Sequence, residues 1–442
     1  MRLSWRCALF FILLQVGLWP LAVPGQAPSK PPDSLLEQLK SPEPGKRARA
    51  ARELGKRGNP AVVPVLAAAV TDPSEKVRRE VVVALASLRV SEALDPMISA
   101  TRDQDFRVRV LAVQGLTGYY TGEPPARGFT GFVQRTWQRA KGRFVEENVR
   151  IDPGVAVEPK VVAALVETMK DTRAIEASRQ AAKALGVLVA DAAVPDLVKA
   201  ANSADTGLAV EALKALAKIK DRAAGPQLVN LLDSSDKEVK QEAAVVVGIL
   251  RTTEALPKLQ AMFENNPDQS TRAKALEGLA YLGSAISTPL FVKALFSGEK
   301  TFRTFAAEGL GRSGDQAALP ELERAIPAEK EAEPRLAMQY AITALGKSDY
   351  LSALVAELGS KLRGNAAQAY LVELSRDVGF LPRLYPFMNS QDSDVRRRLC
   401  TVLMFTGDAS SVEHLEHLSR DRNDEVAAEA VRALRAVRLR NP

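Results

Sequence analysis

The chain has two histidines, His414 and His417, in the run Val412-Glu413-His414-Leu415-Glu416-His417. At i, i+3 on a helix both imidazoles can face one metal, with Glu413 or Glu416 adding a carboxylate. A repeated pattern weighs against that chemistry. Aligning Asp408 with Asp315 sets His414 on Glu321 and His417 on Arg324, positions that are polar elsewhere in the chain. Two solvated histidines on an outer helix is the expected arrangement, with no metal. Cys400, in Arg398-Leu399-Cys400-Thr401-Val402, falls on an apolar helical face with no histidine beside it, which predicts a buried thiol rather than a nucleophile. The glycines are spaced unlike any phosphate-cradling loop. No catalytic residue, metal or cofactor is expected.

The elements that position these residues recur at a fixed period. Pro195, Pro226, Pro257, Pro289 and Pro320 follow one another at gaps of 31, 31, 32 and 31 residues, and Pro382 lies 62 beyond Pro320. Upstream, Pro64 and Pro96 are 32 apart. Each period carries two helical patterns. Leu228, Val229, Leu231 and Leu232 form a short apolar stripe, Asp233-Ser234-Ser235-Asp236 breaks it, and Val239, Ala243, Val246, Val247 and Leu250 form a longer one. Asp and Ser suit the break because their side chains accept from the next helix's free N–H groups. The proline is expected near the start of the first helix, where a missing N–H costs least. With aromatics at 5%, the core must be built of Ala, Val and Leu, and such packing requires close helix contact. No run alternates with period two, so no sheet is expected. The fold class is all-α: a right-handed α-solenoid of about a dozen helix pairs, one body without a central core.

The array resembles the HEAT repeat, in particular the bacterial subtype named for the phycobilisome lyases. The resemblance is carried by unit ends such as Ala184-Leu185-Gly186, Gly309-Leu310-Gly311-Arg312-Ser313-Gly314-Asp315 and Ala344-Leu345-Gly346-Lys347. It is carried equally by the inter-helix motif Asp72-Pro73-Ser74-Glu75-Lys76-Val77-Arg78, echoed at Asp103 to Arg109 and at Asp392-Ser393-Asp394-Val395-Arg396. It covers nearly everything from Ser34 onward. It implies that the Asp and the basic residue ladder between adjacent units. The lyase relatives attach bilins to other proteins, and nothing in this chain beyond the repeat points to a bilin. A di-iron hydroxylase family of this fold draws His-Glu pairs from several repeats, which this chain cannot supply because no histidine precedes His414.

The first residues read as a secretory signal. Arg2 and Arg6 precede an apolar run from Ala8 to Leu14, which Gln15, Gly17 and Pro20 interrupt too early for a comfortable membrane span. Residues 1–25 are read as the signal, cut before Gln26, with an uncleaved anchor as the alternative. Residues 26–33, containing Pro28, Pro31 and Pro32, form an extended linker, and 34–442 the solenoid. Cys400 alone then remains, so no intramolecular disulfide can form. The formal net charge is +7, or +5 without Arg2 and Arg6, with both signs interspersed. That balance gives no basic stripe for nucleic acid, and no nucleic-acid partner is expected.

The period breaks once, at 119–157. Taking the inter-helix aspartates as phase markers, the proline-equivalent of the unit ending at Asp171 is Ala163, which leaves about 36 residues between Pro96 and Ala163 beyond one extra period. Tyr119, Tyr120, Phe129, Phe132, Trp137 and Phe144 make the stretch the most aromatic after the leader. Arg127, Arg135, Arg139, Lys141 and Arg143 lie between Ala126 and Phe144 with no acid among them. Phe129, Phe132, Val133, Trp137, Ala140 and Phe144 share a helical face, with Arg135, Arg139 and Lys141 at its edges or behind. Three arrangements fit: a brace packed on the solenoid, a docking element for another protein, and a helix lying on a membrane surface as a peripheral contact. Phe129, Phe132, Arg135, Trp137, Arg139 and Lys141 are the expected partner-binding residues. Units on either side are in phase once the stretch is removed, so its excision is expected to leave the fold intact.

These features together read as an exported, non-catalytic, protein-binding scaffold or assembly factor of the periplasm or cell envelope. The alternative is a lyase-like enzyme or enzyme subunit, which would need titratable groups converging in one cleft.

Overall fold

The computed structural model describes residues 33–122 and 150–440. All regular elements among them are helices, arranged as twelve successive pairs from Asp33–Leu39 with Pro44–Lys56 to Val412–Leu418 with Asp424–Arg440. A single 3-10 turn opens the first helix of many units, as at Asp191–Ala193, Thr253–Ala255 and Gln316–Ala318. Pro195, Pro257 and Pro320 follow at the first turn of the α-helix, where no intrahelical bond needs their missing N–H. Pro226 and Pro382 occupy the same phase differently. There the 3-10 winding continues through Arg222–Asp233 and Val378–Arg383, with the proline inside.

Several of the second helices start at side-chain caps. The carboxylates of Asp105, Asp205, Asp236, Asp268 and Asp392 each accept from one or two N–H groups of the helix that follows. The core between helices is Ala, Val and Leu, as their abundance requires. Backbones approach most closely where a Cβ on Gly248 would collide with the Gly278 carbonyl and one on Gly278 with the Ala244 carbonyl. Glycine there lets two backbones touch.

Between units runs a ladder of arginines and acids. Arg47 bonds Asp72 at 2.7 Å, Arg78 bonds Asp103 at 2.7 Å, Arg303 bonds Glu329 at 2.6 Å and Arg396 bonds Asp421 at 2.7 Å. Each arginine also donates from Nη1 to two carbonyls of its own inter-helix turn, as Arg78 does to Asp72 at 2.9 Å and Pro73 at 3.3 Å. Each acid accepts from the backbone N–H two residues on, as Asp103 does from Asp105 at 2.8 Å. One side chain thus ties its own turn to the turn of the next unit. Asp421 is held below the usual carboxylate range mainly by the Arg396 bond. In the middle of the array the rung is lighter, with Thr206 bonded to Asp236 and Lys237 to Asp268 at 2.9 Å.

The ladder continues across the break in period, because Arg109 reaches Asp171 at 2.7 Å. Helix Phe106–Thr121 includes Tyr119 and Tyr120, and ends at Gly122 in the left-handed region with φ 70°. The Glu158 N–H donates to the Tyr120 hydroxyl at 3.1 Å.

Residues 150–157 form a strap back onto the array. Ile151 is buried, and its N–H donates to the Val187 carbonyl at 2.9 Å. Asp152 accepts from Arg432 of the last helix at 2.6 Å, a link between residues 280 apart in sequence. Gly154 sits against Leu439. Nine helix pairs therefore carry the chain round until its last helix meets the strap.

Candidate functional site

Units two apart touch only across the inside of a bend, so such contacts locate the inner face. Arg312 donates from Nε to Glu373 at 2.9 Å, across 61 residues, and Tyr370 donates to Glu308 at 2.5 Å across 62. Both bonds skip one unit. They place helices Lys300–Ser313 and Gly364–Leu374 on the inside, with Ala332–Ala344 between them.

The centre of this face is a closed polar cluster. The Arg312 side chain is 3% exposed and also donates to Glu308 at 3.1 Å. Tyr281 covers it, with the guanidinium carbon 4.5 Å from the ring centre. Tyr340 and Tyr370 stack at 4.5 Å. Burial alone would lower the Arg312 pKa, but Glu373 foremost, with Tyr340 and Glu308, holds it well above the usual value. Burial would conversely raise Glu373, and the charge of Arg312 overcomes that and lowers it. The cluster is an ion triad with its lone pairs taken by tyrosine and arginine donors, which is the condition under which buried charges are tolerated.

Toward the N-terminal side the inner face stays polar and opens. Lys274 bonds the buried Glu277 at 2.9 Å, and Lys214 lies 3.6 Å from Glu211. Glu242 stands among these four side chains. Burial pushes its carboxyl up to about 7, Lys214 and Lys274 pull it down, and Glu277 and Glu211 add to the rise. Chemically this row can offer ion pairs and hydrogen bonds of both signs to an extended partner, and at Glu242 one proton near neutral pH.

Phe129, Phe132, Arg135, Trp137, Arg139 and Lys141 lie outside the described residues. His417 is exposed, and His414 is half-buried and stacked 4.0 Å from the Tyr385 ring. His414 is thus not fully solvated as expected. Its neighbour Tyr385 bonds Ser410 at 2.6 Å and Ser411 at 3.1 Å. Among the described residues no group of three metal-ligating side chains comes together. Cys400 is fully buried, and burial pushes its thiol up to about 12, which favours the protonated thiol over the thiolate.

The inner cluster escaped sequence reasoning, although Arg312 stood in a motif that marks unit ends. Its signal was a polar row at inner positions of successive helices: Glu211 with Lys214, Lys274 with Glu277 and Tyr281, Glu308 with Arg312.

Comparison with families agrees with this geometry. The model of HEAT repeats matches residues 32–117, 194–280 and 260–343, more than half of the chain. The chain is a HEAT-repeat protein. Curated protein sequences give no match. Among solved structures, this HEAT-repeat protein is similar to an engineered protein, 20% identical, with TM-score 0.35, covering 92% of this chain and 98% of that one. It is similar also to Kap121p bound to Pho4p, 12% identical, with TM-score 0.43, over 92% of this chain and 57% of that one. For Kap121p bound to Nup53p the identity is 13%, the TM-score 0.43 and the coverage 92% and 56%. The chain thus spans just over half the length of Kap121p.

Proposed function

We propose that this HEAT-repeat protein is a non-catalytic scaffold or assembly factor that holds another protein along its inner face, in the periplasm or cell envelope. One observation carries the reading: the titratable groups that converge inside the bend are bonded to one another and closed, while the polar rows beside them remain half-exposed. Glu308, Arg312, Tyr370 and Glu373 spend their donors and acceptors on each other. Glu211, Lys214, Glu242 and Lys274 are only partly covered. Stacked units present such a row as a long continuous surface, suited to an extended polypeptide. Export rests on the leader at 1–25. The convergence of carboxylates, arginine and tyrosines at Arg312 is what favours the second reading, a lyase-like enzyme or enzyme subunit of the phycobilisome-lyase-like subtype.

Fusion of residues 1–33 to a reporter active only after export tests the location, and a reporter retained in the cytoplasm would refute it. Affinity capture from envelope extract with the wild type and with a Glu211→Lys/Lys214→Glu variant tests the face. The expected result is a protein captured by the wild type and lost at least tenfold by the variant. Capture indifferent to the reversal would remove the inner face from the account.

A further inference from the structure

Where the strap meets the end of the array, residues of five elements line an open crevice of about 900 Å³. Its walls are largely apolar, with Ile151, Pro153 and Val157 of the strap, Val162 and Val166 of helix Pro159–Lys170, and Leu188 with Phe405, and the carboxylates of Asp152, Glu167, Asp191 and Asp196 also line it. Two guanidiniums, of Arg150 and Arg440, enter it. Their situations differ. Arg440 donates to the Met404 carbonyl at 2.6 Å and the Gly407 carbonyl at 3.0 Å, so it caps the carbonyl end of helix Ser393–Thr406. Arg150 lies on the Phe405 ring, its guanidinium carbon 4.4 Å from the centre, and faces the like charge of Arg376.

The carboxylates around the crevice do not answer Arg150. Asp152 is taken by Arg432, and Glu167 and Asp196 by Lys170. Asp191 is exposed at the start of its 3-10 turn. Burial first, then Arg376, pushes the Arg150 pKa down, and among the described residues no acid opposes them. A guanidinium moved out of water beside another cation, with only a ring face for compensation, is costly unless an anion completes it. The volume and the apolar walls match those of ligand pockets, which hold a few oriented polar groups in an apolar lining.

We propose that this crevice binds a single anionic amphiphile, a hydrocarbon chain ending in a carboxylate or phosphate, with the head on Arg150 and the chain along Ile151, Val162, Val166 and Leu188. The strap then serves as one wall of a binding site as well as a tie. This is independent of protein binding along the inner face.

Titration calorimetry of the whole protein with dodecanoate and with dodecyl phosphate tests it, with dodecanol and inorganic phosphate as controls. One molecule per chain is expected for both amphiphiles, weakened tenfold to a hundredfold in Arg150→Gln, as for loss of a charge-assisted bond. Val162→Trp, which narrows the crevice and keeps the charge, is expected to weaken both as well. No binding, dodecanol or inorganic phosphate binding as tightly as the amphiphiles, or an Arg150→Gln protein indistinguishable from wild type would overturn the proposal. So would sedimentation with anionic phospholipid vesicles that dodecanoate fails to compete, since the chain would then be meeting a membrane surface.

Discussion

Arg312 and Glu373 are joined by three hydrogen bonds of 2.9 to 3.1 Å although they belong to units two apart in the array. The unit between them contributes Tyr340, stacked on Tyr370, so the bend is fastened from the inside. Nearest-neighbour packing alone stabilises most arrays of this kind. Here a second-neighbour bond is added where the curvature is closed.

That bond can be measured by a double-mutant cycle of Arg312→Met and Glu373→Gln in urea unfolding. Arg312→Met takes the cation from both Glu308 and Glu373 and should cost about 3 to 5 kcal/mol, whereas Glu373→Gln leaves Arg312 its bond to Glu308 and should cost less. The pair together should cost clearly less than the sum, because Glu373 then carries no charge for the missing Arg312 to answer. Additive costs would mean the two side chains act separately.

The ladder rungs should differ by burial. Arg78 and Asp103 have side chains 5% and 7% exposed, whereas the pair Arg52 and Glu80 has 52% and 21%. Arg78→Ala should therefore cost about 3 kcal/mol or more, and Arg52→Ala less than about 1 kcal/mol. Hydrogen exchange should show the Arg78 loss at its own turn, Asp72 to Ser74, and at the next turn near Asp105. Equal costs at the two sites would contradict the ladder's structural role.

Stability should fall as pH rises toward neutrality, and Glu242 should be the cause. Its folded-state pKa is raised to about 7 by burial, above an unfolded value of about 4.3. A carboxyl raised on folding binds its proton more tightly in the native state. The contribution is therefore complete below the unfolded value and is lost as pH climbs to about 7. Lys214, Lys274, Glu211 and Glu277 face the group, and the ladder acids with lowered pKa values titrate below this window. Urea midpoints between pH 5 and 8 should slope downward for the wild type and lose that slope in Glu242→Gln. An unchanged slope would place the titration elsewhere.

Much of the fold could be read from the chain because a repeat states its rules many times over. Pro195, Pro257 and Pro320 mark the first helices, Asp72 and Arg78 announce the ladder, and Cys400 lies in the core where its apolar neighbours put it. What periodicity cannot show is a contact between non-adjacent units. Arg312 reads locally as a unit end, and only the curvature brings Glu373 to it. The boundary of the insert shifts for the same reason. Tyr119 and Tyr120 complete a helix, and residues 150–157 are bound to Val187 and Arg432, so excision of all of 119–157 would remove a tie. Replacement of 123–149 alone is the change that should leave the array intact.

The most direct test of protein binding along the inner face is site-specific photo-crosslinking in intact cells. A photoreactive residue would be placed at Glu211, at Lys214 or at Lys274 on the inner side, and at Ile286 or Leu362, which are 73% and 88% exposed. The account predicts crosslinks to one partner protein from the inner positions and none from Ile286 or Leu362. Crosslinks from the two exposed positions, with the inner ones silent, would contradict it.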